Sequence, residues 1–127
     1  MKKYTTEDLI YFAGFFDGEG SISLMKTANG YGIRFAITNT DKNVLNWIET
    51  VFGGKIYLQR KAGVMVAAYR STKDAYIWQL ESTHIKEILK ILIPFLKVKK
   101  QQAILLLEYL NGYRNYTRAG CPLWYRN

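Results

Sequence analysis

The chain lacks the side chains on which disulfide and zinc sites depend. Its 127 residues include one cysteine, Cys121, and one histidine, His84. A lone cysteine cannot close a disulfide within the chain, and one cysteine with one histidine falls short of the ligand set of a structural zinc site. Any metal that the chain binds is therefore expected to be held by oxygen atoms.

Long apolar runs are also missing. The longest uncharged apolar stretch runs from Ile91 to Leu96, well below the roughly 20 residues that cross a bilayer. Near the N-terminus, Glu7 and Asp8 come before any apolar core, which is not the pattern of a secretory signal. We therefore expect an intracellular protein that does not span a membrane.

Negative charge is scarce as well. Ten Asp and Glu residues stand against eighteen Lys and Arg residues, which leaves a formal net charge of +8 at pH 7. So much positive charge on a small body favours a polyanionic partner, either nucleic acid or an anionic membrane surface. The length suffices for one hydrophobic core but not for two. We expect a single domain over residues 1–127, with roughly the last ten residues as a candidate tail.

The spacing of apolar residues predicts the element order α-β-β-α-β-β-α-α. The predicted helices are a first from about Thr6 to Asp17 behind a Thr5 cap, a second capped by Asp41 and ended by Gly53-Gly54, a third capped by Ser82 or Thr83, and, beyond Pro94, a last from Lys97 to about Gly112. Helices separated by antiparallel hairpins favour an α+β fold in which the helices cover one face of the sheet and leave the other exposed.

Period-two alternation predicts two hairpins. The first turns at Asn29-Gly30, and its core face carries Ile22, Leu24, Ile33, Phe35 and Ile37. The strands of the second are Lys55 to Lys61 and Ala75 to Leu80. Residues 62–72 stay ambiguous, because Val64-Met65-Val66 could extend a strand and the rest could be an exposed loop.

The segment Phe12–Ile22 packs two carboxylates and three glycines into the junction of the first helix and the first strand. Ala13, Gly14 and Gly18 leave one helix flank almost without side chains, so another helix could approach closely. The natural partner is the same helix of a second copy across a twofold axis. Glu19 would then lie beside its symmetry mate, and two carboxylates that close require a cation. The alternative is that both carboxylates are solvated residues of a glycine-rich turn.

This segment resembles the signature of the LAGLIDADG homing endonucleases, in the variant with aromatic residues and Gly-Glu-Gly. The identical positions are Ala13, Gly14, Asp17 and Gly20. The resemblance continues through both hairpins and through Pro94–Ala103, so it covers nearly the whole chain. It implies the LAGLIDADG fold, an antiparallel four-stranded saddle sheet with helices on one face, in the single-motif homodimeric type.

The resemblance also implies a set of site residues. Glu19 is expected to bind a catalytic Mg²⁺ together with the backbone carbonyl of Gly20, with Mn²⁺ as a substitute and Ca²⁺ binding without cleavage. The basic residue that stabilises charge at the scissile phosphate corresponds to Lys99, with Lys97 as the alternative. Relatives often position water with a glutamine, and this chain has the shorter amide of Asn39 there.

The family's dimer interface corresponds to Ala13, Gly14, Asp17 and Gly18, where Asp17 is expected to cap and orient the contacting helices. As an alternative to a role at phosphate, the lysines of the segment 97–100 could form an ordinary solvated first turn. Three cations at a helix N-terminus oppose the helix dipole, however, and that cost favours a function for them.

DNA reading is expected on the exposed sheet face, which in this family lies along the major groove. The residues predicted to contact DNA are Ser23, Met25, Thr27, Arg34, Thr38, Tyr57, Gln59, Lys61, Ile77 and Gln79. Among them Arg34, Gln59 and Lys61 are the candidates for base edges. Each one could instead be plain surface or a phosphate contact, because about half to two-thirds of protein–DNA hydrogen bonds go to the backbone.

The resemblance thus implies an intron-encoded enzyme of intron homing. It would bind a long, near-palindromic double-stranded DNA site as a homodimer and make a staggered break by in-line attack of a metal-activated water. Neither a membrane nor a small-molecule substrate is expected. The compartment would be an organelle, chloroplast or mitochondrion, or a prokaryotic cytoplasm.

Two alternatives remain at this point. The chain could be a cleavage-deficient relative, an intron maturase or a transcriptional regulator, although the presence of both Glu19 and Lys99 favours an active nuclease. It could also be a structural or protein-binding domain whose charge serves solubility. The aromatic and basic clusters 113–118 and 124–126 fit contacts to flanking phosphates, or else a disordered tail.

Overall fold

A computed structural model describes residues 3–28, 30–60, 65–66, 69–70 and 73–112. The α-helices of this part are α1 (Thr6–Glu19), α2 (Lys42–Phe52), α3 (Ser82–Leu92) and α4 (Lys100–Leu110), with a 3-10 turn at Ile93–Phe95. The strands are β1 (Gly20–Thr27), β2 (Gly30–Asn39), β3 (Lys55–Arg60), β4 (Met65–Val66), β5 (Tyr69–Arg70) and β6 (Ala75–Gln79). None of the described helices has the length and apolar character that a bilayer crossing requires.

The strands form one antiparallel sheet in the order β1-β2-β6-β3, and β4 pairs with β5 as a separate short hairpin. The predicted α+β fold, with a four-stranded antiparallel sheet and helices, is confirmed. The ambiguous segment 62–72 contributes β4 and β5, so the element order contains one short hairpin more than predicted.

The two faces of the sheet carry different side chains, as the alternation predicts. Ile37 pairs with Trp78, and Trp78 pairs with Ile56, in a row that faces the helices. We call this side the helix-covered face. The adjacent row of Thr38, Ile77 and Tyr57 lies on the opposite side, which we call the open face.

The core lies between the helix-covered face and the four α-helices, all of which contribute buried side chains. Phe12 stacks on Phe52 with ring centroids 4.3 Å apart, and Phe16 stacks on Phe35 at the same distance. The rings of Trp78 and Phe12 meet in a T-shaped contact with centroids 5.7 Å apart. Such aromatic pairs contribute about 0.5–1.5 kcal/mol each beyond the burial of their area, so this cluster ties α1 and α2 to the centre of the sheet.

Three predicted helix ends are wrong by a few residues. Gly18 does not end α1, which continues to Glu19. The third helix is capped by Glu81, without a side-chain bond, and α4 begins at Lys100. The late start of α4 has a tertiary cause, because backbone N–H groups of the preceding residues donate to a side chain of α1. The predicted Asp41 cap is confirmed by its bonds to the first turn of α2.

The turn between α2 and β3 requires glycine. Gly53 and Gly54 have φ angles of +84° and +93°, a region in which side chains are strained. The indole Nε1 of Trp78 donates to the carbonyl oxygen of Gly53 at 2.7 Å. A Cβ on Gly54 would lie 2.5 Å from that Nε1 and 2.7 Å from the carbonyl oxygen of Gln79. The buried tryptophan is thus anchored by a turn too tight for any side chain.

Substitution of Gly54 by alanine is expected to destabilise the protein strongly. The positive φ costs about 1–2 kcal/mol, and the clash with Trp78 and the sheet adds about 1–3 kcal/mol. Gly112→Ala is the matched control, since Gly112 has a φ of +119° but nothing within 4 Å of an added Cβ. Urea unfolding should show a clearly larger loss for Gly54→Ala. Equal losses for the two variants would contradict the role given to the contact.

Candidate active site

Glu19 is the last residue of α1, and Gly20 opens β1 without an intervening loop. The helix starts in a capping box, in which Thr5 and Asp8 each accept the other's backbone N–H. At its far end the carboxylate of Glu19 is exposed and has no hydrogen-bond or ion-pair partner among the described residues. Its oxygens are therefore available to a ligand.

The direct passage from helix to strand depends on a close approach at Gly20. A Cβ there would lie 2.3 Å from Cδ1 of the fully buried Phe16 ring. Because real carbon atoms do not approach so closely, only glycine fits over this ring without rearrangement. Phe16 also stacks on Phe35 in the sheet, so the position of Glu19 is set by the packing of the core one residue away.

Asp17 joins the end of α1 to the segment that precedes α4. Its Oδ2 accepts the backbone N–H of Lys97 at 2.7 Å, and its Oδ1 accepts that of Lys99 at 3.0 Å. These donors lie 80 and 82 residues away along the chain. Hydrogen bonds to an ionised acceptor are stronger than neutral ones. The carboxylate thus also supplies negative charge where the cations before α4 would otherwise oppose the helix dipole.

The pKa of Asp17 is lower than the ordinary value of an aspartate. Burial by itself raises this pKa, but backbone hydrogen bonds from Lys99, Lys97 and Val98 and the charge of Lys99 lower it, and the lowering outweighs the burial. Asp17 is therefore ionised at neutral pH and committed to contacts within its own chain. The interface role predicted for Asp17 has to be exerted through this clamp, because both carboxylate oxygens are already used.

Of the two candidate lysines, the structure brings the side chain of Lys99 to the end of α1. Its Nζ donates to the backbone carbonyl oxygen of Asp17 at 2.6 Å, and the residue is half-buried. Lys97 is exposed and contributes its backbone N–H. The ammonium of Lys99 is thus bonded to the backbone of Asp17, which precedes Glu19 by two residues in the chain.

Asn39 is the last residue of β2 and lies at the end of the sheet where β1 begins with Gly20. Ile37 pairs with Gly20, and Asn39 lies two residues further, about 7 Å along the strand. Its Oδ1 accepts the backbone N–H of Asp41 at 2.8 Å, which starts the turn into α2. The pairing of Asn39 with Tyr76 puts it on the helix-covered face. This gives Asn39 a structural bond, and its role in positioning water stays a prediction.

The donor atoms at the end of α1 suit a hard cation but do not complete a site within one chain. Glu19 offers a free carboxylate and Gly20 a backbone carbonyl, the ligand types that Mg²⁺ and Ca²⁺ prefer. The described residues include no group of three or more His, Cys, Asp or Glu side chains that could hold a metal. Mg²⁺ commonly uses one or two carboxylates plus substrate phosphates. The residues fit such a shared site, in which the chain supplies one carboxylate.

The small residues of α1 lie on two different sides. Ala13 is fully buried in the core, so the prediction that it belongs to a dimer interface is corrected: helical periodicity turns it toward the sheet. Gly14 and Gly18 are exposed, and an added Cβ at either would meet nothing within 4 Å. Ile10, one turn before Gly14, is 51% exposed and continues this row. The sequence signal for Ile10 was its spacing of four from Gly14.

The open face carries most of the predicted DNA-contacting residues. Register places Ser23, Arg34, Thr38, Tyr57 and Gln79 there. Met25 and Thr27 belong to β1, but their side chains, like all of Lys61, lie outside the described residues. The contacts of these residues with DNA stay predictions.

One of the predicted positions on the open face needs correction, and the strand register changes at another. Ile77 has the predicted face but is only 4% exposed, because it lies in the central strand β6 with Thr38 and Tyr57 on either side. The register of β3 shifts between Leu58 and Arg60. Strict alternation therefore fails at Gln59, and Arg60 takes the position opposite Ala75.

Sequence reasoning missed three polar residues of this face. Register adds Ser21 and Lys55 to the row that contains Gln79, and the bulge adds Arg60. Alternation alone could have found Ser21 by starting β1 two residues earlier, and Lys55 by applying the alternation to the first residue of its predicted strand. The ammonium of Lys55 lies 3.5 Å from Glu81, but both side chains are more than half exposed, so this pair contributes little to stability. The clusters 113–118 and 124–126 lie outside the described residues.

Comparison with known proteins relates this geometry to one family. The sequence model described as LAGLIDADG endonuclease matches residues 12–111. The chain is 33% identical over 109 residues to the DNA endonuclease I-CreI of Chlamydomonas reinhardtii, covering 85% of this chain and 65% of that protein. It thus spans slightly less than two thirds of the length of this curated relative.

Solved structures agree in fold. An archaeal intron-encoded homing endonuclease complexed with DNA superposes with a TM-score of 0.63 at 25% identity, over 86% of this chain and 70% of that one. The homing endonuclease I-CvuI, in complex with the I-CreI target in the presence of magnesium and with the DNA not cleaved, gives 0.63 at 21% identity, over 87% and 69%.

Replacement of Asp17 by asparagine is expected to cost about 1–3 kcal/mol at pH 7, because an amide cannot accept both backbone N–H groups. The folded-state pKa of Asp17 is lowered, so the unfolded chain binds the proton more readily. This contribution is present above the unfolded pKa of about 3.9 and is lost as the pH falls toward the folded-state pKa. Urea unfolding between pH 7 and pH 3 should show both effects.

Glu108→Gln, at an exposed position of α4, is the control for this experiment and should leave stability nearly unchanged. If Asp17→Asn unfolded at the same urea concentration as the wild type at every pH, the clamp would not hold the two segments together.

Proposed function

The chain belongs to the LAGLIDADG endonuclease family, and we propose that it is a homodimeric, metal-dependent homing endonuclease that makes a staggered break in a specific double-stranded DNA site. The observation that carries this proposal is that a free carboxylate, Glu19, and an ammonium bonded to the backbone, that of Lys99, both lie at the end of α1. Membership of the family gives the reaction class, and these two groups are of the kinds that bind a metal ion and stabilise phosphate charge in phosphodiester hydrolysis.

Glu19 would be the ligand of a divalent cation, with the carbonyl of Gly20 beside it. A bound Mg²⁺ would supply a water of lowered pKa and neutralise charge on the phosphate. The chain's own part is to place the backbone from which the carboxylate extends, and the packing of Phe16 under Gly20 supports this. The support for a divalent metal from relatives is that I-CvuI was solved with Mg and, in another complex, with Ca.

Lys99 would stabilise the charge that develops on the scissile phosphate. Its bond to the carbonyl of Asp17 holds the ammonium without neutralising it, since a carbonyl carries only a partial charge. Lys97 remains the alternative. Because its side chain is exposed whereas that of Lys99 is bonded to Asp17, substituting each lysine in turn tests which one acts. Asn39 would position the attacking water through the part of its amide that does not bond Asp41.

A homodimer would supply the second carboxylate that the candidate metal site lacks within one chain. The row of Ile10, Gly14 and Gly18 on α1 is exposed and nearly flat, and Val98, beside the Asp17 clamp, is 78% exposed. Exposed apolar side chains beside a row of small residues on a helix are typical of a surface that another helix covers. A second α1 on this row would put a second Glu19 near the first, giving the two carboxylates that a shared cation would use.

The test of the proposed function is cleavage of a randomised duplex library by purified protein. With Mg²⁺, the wild type should cut a near-palindromic subset, and Glu19→Gln should bind the same subset but cut none of it. With Ca²⁺ in place of Mg²⁺, the wild type should bind without cleavage. Binding without cleavage by the wild type in Mg²⁺ would move the function to an intron maturase or a regulator.

The same library separates the two lysines. Lys99→Ala should lower the cleavage rate by about 10²–10³-fold, as the loss of one charge-stabilising donor does. Lys97→Ala is the matched control, because it keeps the backbone bond to Asp17 and removes only an exposed side chain. A larger loss for Lys97→Ala would exchange the two roles.

Gly14→Leu is expected to convert a dimer into a monomer and to abolish double-strand cleavage. Gly14 is exposed and an added Cβ would meet nothing within 4 Å in its own chain, so the loss would come from holding the second α1 away. Sedimentation equilibrium measures the change in mass. Thr50→Leu, at an exposed site on α2, should leave the dimer intact. A Gly14→Leu protein that remained dimeric would exclude this face as the interface.

A further inference from the structure

A cavity of about 700 Å³ lies at the end of α4, beside the edge of the sheet. Its lining includes the apolar side chains of Ile33, Leu80, Tyr109 and Leu110 and the exposed residues Glu81 and Thr83. We call this cavity the α4 notch. We propose that residues 113–127, which follow α4 in the same chain, fold back and seat their apolar part in the α4 notch. The proposal concerns the fold and does not depend on the proposed activity.

One wall of the α4 notch is a strand edge that no described strand pairs with. The ladder between β2 and β6 covers the stretch from Ala36 to Asn39, and beyond it the N–H of Leu80 donates to the carbonyl oxygen of Phe35. Alternate residues of a strand direct their N–H and C=O groups to the same side. Ile33 therefore directs its backbone groups into the notch. Proteins usually pair or cover such an edge, and an extended segment can supply the missing bonds.

The helix α4 is apolar on nearly all of its sides. Between Ala103 and Leu110 its only charged residue is Glu108. Ile104 and Leu105 are half-buried, but within the described part of the chain they are not among the side chains that pack on the core. A helix that is apolar all round is normally enclosed by protein. We therefore expect more of the chain to cover α4 than the described residues supply.

The chain reaches the α4 notch where α4 ends. Tyr109 and Leu110 line the notch, and Gly112 has a φ angle of +119°. A glycine with positive φ just after a helix ends it and turns the chain off the helix axis. The following residues therefore begin at the wall of the cavity. A segment tethered there binds at a high effective concentration, which favours it over a separate partner.

Residues 113–127 contain an apolar run that suits the α4 notch, formed by Leu123, Trp124 and Tyr125. The volume of the notch lies within the roughly 300–1,000 Å³ of cavities that enclose ligands, so it accepts large side chains. Ten residues separate Gly112 from Leu123. Since an extended residue spans at most about 3.5 Å, this length allows the chain to turn back onto its point of departure.

The lone cysteine of the chain, Cys121, lies two residues before Leu123 and provides the test. Thr83→Cys places a second thiol at the α4 notch. Lys90→Cys is the matched control, because Lys90 is also exposed on α3 but lies about 10 Å further along the helix. The full-length variants are equilibrated in a glutathione redox buffer, and the disulfide with Cys121 within each chain is quantified by mass spectrometry.

The effective concentration of Cys121 should be at least about tenfold higher toward residue 83 than toward residue 90, because a disulfide needs its Cα atoms within about 7 Å. Equal values at the two positions would overturn the proposal. A disulfide formed mainly between two chains would overturn it as well, since the segment would then be seated on a second copy.

Hydrogen exchange provides a second readout that needs no added thiol. The reference amide is that of Ile37, which lies in the part of β2 that pairs with β6. Trp124→Ala should raise the exchange rate at Ile33, relative to that at Ile37, by at least about tenfold. Arg126→Ala, in the same segment, is the control and should leave the ratio unchanged. An unchanged ratio in Trp124→Ala would overturn the proposal.

Contact of this segment with flanking DNA phosphates predicts a different set of results. Arg126→Ala would then weaken duplex binding with a shallower salt dependence. The protein without DNA would show neither the preference of Cys121 for residue 83 nor the effect of Trp124→Ala on Ile33. Those results together would overturn the proposal and leave the proposed function in place.

Discussion

The carboxylate of Asp17 is the contact on which the candidate site depends. It accepts two backbone N–H groups from the residues before α4 and thereby joins the end of α1 to that segment. The same segment returns the ammonium of Lys99 to the carbonyl of Asp17. Because all three bonds are shared between residue 17 and residues 97–99, the distance from α1 to that segment cannot change without breaking several of them. These bonds therefore keep the backbone that carries Lys99 next to the end of α1 that carries Glu19.

The helix α1 combines three tasks in fourteen residues. Leu9, Phe12, Ala13 and Phe16 form its buried side, Gly14 and Gly18 leave a flat exposed row, and its last turn carries the two carboxylates. The helical period separates these tasks, because residues three or four apart share a side. A substitution in α1 is thus expected to affect only one of these tasks. A substitution of Gly20, the first residue of β1, would instead disturb the packing of the strand on Phe16.

Much of the fold could be predicted from local patterns, and so could the choice of Glu19 as a candidate site residue. Period-two alternation assigned Phe35 and Ile37 to the core face, and the Asp41 cap marked the start of α2, since both signals come from neighbours in the chain. The predictions that failed needed packing. Ala13 belongs to the same small-residue pattern as Gly14, and only the position of the sheet shows that one is buried and the other exposed.

By itself, then, the sequence determined the fold class, the family signature from Phe12 to Ile22 and the acidic residue Glu19 within it, because these follow from composition and short-range spacing. The tertiary structure decided which lysine reaches the end of α1, since Lys97 and Lys99 differ only in a contact made across 82 residues. It also decided that Arg60 takes the position opposite Ala75, because a bulge is a property of two paired strands.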